Sequence, residues 1–251
     1  MLNSHRFGPV ALAPTGSTPE TELEFYAENY MGSASFNPTV GPPMTAAGST
    51  QWAERPTELG RWIVDVNDTP NDGLYCSSAV TSVKKNLAIF TVYAAPGGSI
   101  FTAGNLMDFR DSGNYRLIIP AQITAGTGRN GNGWYYGQSS GLDATSVISG
   151  EDTRQFYIRC MLFEDNVGRM FIGGGSVDKT GSFEDTSLDL TMRFGFTSGG
   201  TLDIEIATLQ VYSLPLGETF TAEFLDGIGE AIESYYSGAT SPEAVWSAIT
   251  V

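Results

Sequence analysis

Apolar and polar residues alternate along much of this chain, in short runs separated by glycine-rich breaks. GRWIVDV (60–66) alternates. NLAIFTVYAA (86–95) is almost continuously apolar, as expected of a strand covered on both faces. NYRLIIPAQI (114–123) alternates through Tyr115, Leu117 and Ile119. RQFYIRCMLF (154–163) puts Phe156, Ile158, Cys160 and Leu162 on one face. The turn chemistry of EDNVGR follows, and RMFIGGG returns as its hairpin partner. SLDLTMRFGF (187–196) places Leu188, Leu190, Met192 and Phe194 together. Regularly spaced strands with hairpin turns predict an all-β antiparallel β-sandwich over 58–236. Helix should stay below roughly 15% of the chain, against the usual third of a globular domain.

In LDIEIATLQVYSLPLGE (202–218) the alternation runs through Leu202, Ile204 and Ile206, slips by one, and resumes at Leu209 and Val211. An extra residue flips every later side chain unless a β-bulge absorbs it. The slip therefore predicts a bulge at Ala207–Thr208, with Ile206 and Leu209 both facing inward. TAEFLDGIGEAIESYY (221–236) then reads as a helix capped by Thr221, with Phe224, Leu225, Ile228, Ile232 and Tyr235 on one face. SPEAVWSAI (241–249) suggests a second short helix in a tail over 237–251.

Residues 1–57 differ in texture. They hold seven of the twelve prolines and almost no periodic Val, Ile or Leu. This predicts an extended arm, with PETELEFYAENY the one stretch able to form a helical turn or a strand. Phe7, Leu12, Phe25, Tyr26, Tyr30, Phe36 and Trp52 would be spaced anchors for a neighbouring subunit. The competing reading has the arm cover an edge of its own sheets.

The chain has 251 residues, 13 basic and 28 acidic, for a formal charge of −15. So acidic a surface, with no basic stripe, argues against nucleic acid and anionic membrane as partners. No signal peptide and no apolar run of about 18 residues is visible. Cys76 and Cys160 are too few for a disulfide framework, and Cys160 on the apolar phase reads as a buried thiol.

The order RQFYIRCMLF, EDNVGR, RMFIGGG, LTMRFGF, then TLDIEIATLQVYSLPLGETFTAEF resembles the C-terminal half of a laminin-G-like, concanavalin A-like lectin/glucanase domain. In that family a strand with an Ile-x-x-Val-x-Ile-Tyr pattern leads through a short turn to a leucine and a small acidic helix. Ile206, Leu209, Val211, Tyr212 and Leu216 occupy those positions here. The resemblance implies a two-sheet jelly roll. It also implies a range of roles, from glycan-binding modules and glycoside hydrolases to non-catalytic domains of phage proteins.

The glucanase branch carries Glu-x-Asp-x-x-Glu on one strand. The nearest match is Asp203-Ile204-Glu205, with Thr208 replacing the third carboxylate. The only histidine, His5, lies in the arm. No catalytic residue is therefore assigned, and the chain reads as a non-enzyme. No cofactor and no metal is expected. The family's calcium sites would fall, if anywhere, at Glu164-Asp165-Asn166 or between Asp178 and Asp185, and neither has the spacing of a dedicated loop.

GTGRNGNGWYYGQSSG (126–141) combines aromatic faces with amides, the chemistry of sugar contact. Asn130, Asn132, Trp134, Tyr135, Tyr136 and Gln138 are the candidate glycan-binding residues. The alternative is that Trp-Tyr-Tyr is a strand whose alternate aromatics fill the core. Two function classes follow. The first is a virion structural or attachment protein, such as a phage fibre, decoration or tail component. It would assemble in the host cytoplasm with other virion proteins, possess a homo-oligomeric form such as a trimer, and bind cell-surface glycans. The second is a free carbohydrate-binding protein or glycoside hydrolase. The arm and the missing export signal favour the first.

Overall fold

The computed structural model describes residues 21–28, 38–47, 52–56, 62–66, 73–82, 85–94, 104–111, 114–124, 129–132, 135–136, 148–152, 157–164, 167–172, 175–180, 189–197 and 204–236. In chain order the strands begin with β1 (Glu22–Glu28), β2 (Pro38–Val40), β3 (Met44–Ala47), β4 (Trp52–Pro56), β5 (Trp62–Val66) and β6 (Gly73–Cys76). They continue with β7 (Thr81–Ser82), β8 (Lys85–Ala94), β9 (Gly104–Asp111), β10 (Asn114–Thr124), β11 (Arg129–Asn132) and β12 (Tyr135–Tyr136). The last six are β13 (Ile148–Asp152), β14 (Tyr157–Glu164), β15 (Val167–Ile172), β16 (Gly175–Thr180), β17 (Asp189–Thr197) and β18 (Ile204–Pro215). Among the described residues one helix, α1 (Ala222–Tyr236), follows.

Two nine-stranded antiparallel sheets form the sandwich. The first runs β16-β15-β14-β8-β18-β1-β2, with β5 also on β18 and β4 on β5. The second runs β13-β11-β10-β9-β17-β6-β3, with β12 on β10 and β7 on β17. The fold class is thus all-β and antiparallel, as the alternation predicts. EDNVGR closes the β14–β15 hairpin, with Glu164 opposite Val167.

The central strands of the first sheet are buried on both faces. Ala88, Phe90, Ile158, Cys160, Leu162, Tyr212 and Leu214 pack with Phe220, Phe224, Leu225, Ile228 and Ile232 under the helix. Leu87, Ile89, Met161, Phe163, Leu209 and Val211 alternate with them and are buried too, as are Phe109, Leu190 and Met192 of the second sheet. This double burial explains why 86–95 reads as a continuous apolar run.

The bulge lies where the slip places it. Ile206 stands opposite Tyr93 and Thr208 opposite Val92, leaving Ala207 as the extra residue. Leu209 is opposite Thr91, so the Ile206 and Leu209 rows fall on the same face of β8. On its other side β18 pairs with β5 through Ile206, and with β1 from Thr208 onward. The bulge thus sits where the strand changes partners.

β18 ends in a turn in which the Glu218 amide donates to the Pro215 carbonyl at 3.2 Å. Gly217 has φ +88° at its third position, the left-handed conformation a type II turn requires there. Asn86 Nδ2 donates to the Glu218 carbonyl at 2.7 Å, and the Phe220 amide donates to Glu164 Oε1 at 2.6 Å. Thr221 Oγ1 then accepts the Phe224 amide at 3.1 Å, the N-cap bond predicted from sequence.

The expectation of an arm lying on a neighbour is corrected. β1 pairs with β18 from Glu22 opposite Ser213 to Glu28 opposite Thr208, and Tyr26 is 5% exposed within its own fold. β2 extends the same sheet, β3 joins the second through β6, and β4 pairs with β5. Among the described residues the sheets therefore include strands from Glu22 onward, ahead of 58. The physical reason is that the free edge of β18 supplies backbone partners to any extended segment, whatever its side chains. Phe25 and Trp52 lie on β1 and β4. Phe7, Leu12, Tyr30, Phe36 and the tail at 237–251 lie outside the described residues.

Candidate functional site

The expected glycan-binding residues separate in the structure. Asn130 and Asn132 lie on β11, Tyr135 and Tyr136 on β12, and Trp134 and Gln138 outside the described residues. Residues directly opposite each other share a face, and neighbouring rows alternate between faces. Tyr136 is opposite Leu117, Leu117 opposite Phe109, and Phe109 opposite Met192. Phe109 and Met192 are fully buried, so this is a core row. Asn132 opposite Ala121 and Asn130 opposite Ile123 fall on the same side by alternation along β10. They are placed apart from Tyr135.

The adjacent row is different in character. Tyr135 is opposite Ile118, Ile118 opposite Asp108, and Asp108 opposite Arg193. Arg193 is opposite Tyr75, and Tyr75 opposite Thr45. Arg193 and Tyr75 are half-buried and Thr45 is exposed, which marks the outer face of the second sheet. One row further along, Tyr115 is opposite Arg110 and Arg110 opposite Thr191, whose hydroxyl donates to the Arg110 carbonyl at 3.2 Å. Six neighbouring strands about 4.8 Å apart make a face on the order of 24 Å wide. The helix covers the outer face of the first sheet around β8, β14 and β18. Tyr135 and Tyr136 form a short strand, with the Tyr136 position in the row of buried Phe109 and Met192 and the Tyr135 position in the adjacent row; Trp134 lies outside the described residues.

Other chemistry is tied up in the fold. Cys76 and Cys160 are free and buried, so no disulfide joins them. Burial pushes the Cys76 thiol up to about 12. Cys160 rises well above its ordinary value through burial, then through the nearby Glu164 and Asp226 charges. Neither offers a thiolate at neutral pH. Glu164, a candidate calcium ligand, instead accepts the Phe220 amide. Asp178 stands opposite Arg169 in the β15–β16 ladder. No cluster of three metal-ligating side chains occurs among the described residues.

Glu205 stands directly opposite Asp65 of β5, while Asp203 lies outside the described residues. Spacing along one strand could not reveal that pairing, because the partner is about 140 residues away and meets it only through the sheet.

No protein-family model and no curated protein matches this chain. Solved structures do. A Trypanosoma rangeli sialidase in complex with sialic acid matches at TM-score 0.57 and 12% identity, over 84% of this chain and 33% of that one. Domain 4 of AbnA, an extracellular GH43 arabinanase from Geobacillus stearothermophilus, in complex with arabinotriose, matches at TM-score 0.53 and 15% identity. That match covers 82% of this chain and 98% of the domain. The chain thus spans about a third of the sialidase but almost all of the arabinanase domain. At these identities the likeness concerns the fold.

The expectation of a non-enzyme is corrected by these matches, since the fold is shared with proteins named as carbohydrate-active enzymes. The sequence reading sought two carboxylates on one strand, whereas a sheet can assemble a site from several. These names also give no support to a virion component.

Proposed function

We propose that this chain is a carbohydrate-recognising β-sandwich domain of a carbohydrate-active protein, with the outer face of its second sheet as the binding face. The observation that carries the reading is the row Tyr135–Ile118–Asp108–Arg193–Tyr75–Thr45, which crosses six strands and is half-buried at Arg193 and Tyr75 and exposed at Thr45. Tyrosine rings supply faces for sugar C–H surfaces, and charged groups hydrogen-bond hydroxyls. A flat, strand-crossing platform suits an extended oligosaccharide. The whole-domain match to an arabinanase domain in complex with arabinotriose supports the same reading.

The test is an oligosaccharide panel read by calorimetry for binding and by reducing-end release for turnover. Wild type is expected to bind at least one oligosaccharide. Tyr75→Ala should weaken that binding about tenfold, the loss of one stacked aromatic, without changing the melting temperature. Neither binding nor turnover across the panel, or binding indifferent to Tyr75→Ala and Tyr135→Ala alike, would overturn the proposal.

A further inference from the structure

We infer that β1 and β2 form an arm that exchanges between two copies of this chain, with Gly41, Pro42 and Pro43 as its hinge and the β18 edge of the second copy as its docking surface. The first support is how the arm is attached. β1 pairs with β18 from Glu22 opposite Ser213 to Glu28 opposite Thr208, and β2 pairs with β1. Among the described residues the backbone of the arm therefore joins the body through one ladder. That ladder shifts register between Leu23 and Phe25, and the β1–β2 ladder shifts between Tyr26 and Ala27. Each shift disrupts the hydrogen bonding locally. Pro38, opposite Ala27, has no amide hydrogen to add.

The second support is that the contacts are transferable. Lys85 Nζ of β8 binds Glu22 and Glu24 of the arm, and Ser213 Oγ of β18 donates to Glu24 Oε1 at 2.7 Å. These contacts run between arm and body. A second copy offers the same edge and the same side chains, so an exchanged arm regains them all. Exchange of an identical element is for this reason a low-cost route to a dimer.

The third support is the hinge. β2 belongs to the first sheet and β3 to the second, and Gly41, Pro42 and Pro43 alone join them. Packed sheets lie about 10 Å apart. The four Cα steps from Val40 to Met44 reach about 13–14 Å when fully extended, so the connection has little slack. Each proline fixes its own φ and holds the residue before it out of the helical region. Gly41, at φ +94°, supplies the change of direction that a residue with a side chain would resist. Gly41 and Pro43 are exposed, so the body does not lock the hinge. A short hinge of this kind invites exchange, because rotation at one residue sends the arm outward instead of back.

The experiment is size-exclusion chromatography with light scattering on the whole chain, from about 10 μM to about 1 mM. A short tether holds its own arm at an effective concentration in the mM range, so dimer is expected to appear as the protein approaches about 1 mM. Deleting Pro42 and Pro43 should raise the dimer-to-monomer ratio about tenfold at fixed concentration, and inserting Gly-Ser-Gly after Gly41 should lower it by a similar factor. A Glu22→Cys, Ser213→Cys pair, oxidised after separation, then reports which chain holds the arm, since the two positions are directly opposite and both native cysteines are buried. The dimer fraction should run as a covalent dimer on a non-reducing gel, and the monomer fraction as a monomer. A dimer whose bonds stay within each chain would overturn the inference in favour of two closed copies packed face to face. Monomer throughout, in wild type and in the shortened-hinge variant alike, would also overturn it, as would a dimer fraction indifferent to hinge length.

Discussion

Lys85 is one of three lysines in the chain, and it holds down the first strand. Its Nζ lies 2.6 Å from Glu22 Oε2 and 2.5 Å from Glu24 Oε1, and Ser213 Oγ donates to Glu24 Oε1 at 2.7 Å. Burial alone would lower the Lys85 pKa, but the hydrogen bonds it donates to Glu22 and Glu24, together with their charges, outweigh it and hold it above its ordinary value. The hydrogen bond to Lys85, then its charge, holds Glu22 below the usual carboxylate range. Glu22, depressed in the fold, contributes stability above its unfolded pKa, and that contribution is lost as pH falls through the folded value. Lys85, raised in the fold, contributes below its unfolded pKa, and that contribution is lost as pH rises through the folded value. The clamp is therefore complete between roughly pH 4.5 and 10. Lys85→Met should speed hydrogen exchange of the 22–28 amides at pH 7 and remove their pH dependence at both ends of that window. Unchanged exchange in the variant would show that the clamp does not hold β1.

At the scale of elements, β18 and α1 act as one unit. The bulge at Ala207 lets one strand serve two partners, β5 before it and β1 after it. Beyond the bulge both faces of β18 are fixed: Leu209 and Val211 on one side, Tyr212 and Leu214 on the other, all nearly inaccessible. Tyr212 is placed edge-on to Phe224 at 5.3 Å and to Phe90 at 6.2 Å. Its hydroxyl donates to Gln210 Oε1 at 2.8 Å, so the polar end is satisfied beneath the helix. Deleting Ala207 would have to turn 204–206 over, carrying the Glu205 row to the inner side and the Ile206 row outward. A loss on the order of 2–4 kcal/mol in denaturant unfolding is expected, from one buried apolar residue lost and one carboxylate mislaid. Ala207→Gly should cost no more than about 1 kcal/mol. A deletion variant as stable as wild type would mean that the bulge does not set the register.

For the whole molecule, the sandwich has unequal outer faces. Helix α1 seals part of the first sheet, whereas on the second sheet Arg193 and Tyr75 are half-buried and Thr45 is exposed. The early residues matter to this arrangement, because β1 covers β18 from 208 to 213 and β3 flanks β6. Removing residues 1–50 should expose that edge and the cavity left by Tyr26 and Met44, both buried. The truncated chain is expected to aggregate or to melt at lower temperature than the full chain. Equal melting temperature and solubility would restore the arm as an independent element.

Wherever one short stretch carries its own signal, the sequence was sufficient. Period-two alternation located β5, β10, β14, β17 and β18, because a half-buried strand forces polarity to follow the pleat, whereas β9, β11, β13 and β16 carry no such reading and emerge only in the structure. The one-residue slip located the bulge, because an unabsorbed slip would have put Leu209 and Val211 on the opposite face from Ile206. Thr221 located the helix start, because its hydroxyl needs only the amide three residues on. Strand pairing was not legible in the same way. β1 carries ELEFYAE, with no Val or Ile, and it is held by backbone bonds to a strand nearly 190 residues away. The row is likewise a matter of pairing: Tyr135, Asp108, Arg193 and Tyr75 are scattered over 118 positions, from 75 to 193, and come together only because β12, β10, β9, β17 and β6 lie side by side. Periodicity records which face a residue takes within its own strand. Which strands become neighbours depends on long-range loop closure and sheet order, and only the tertiary structure decided that.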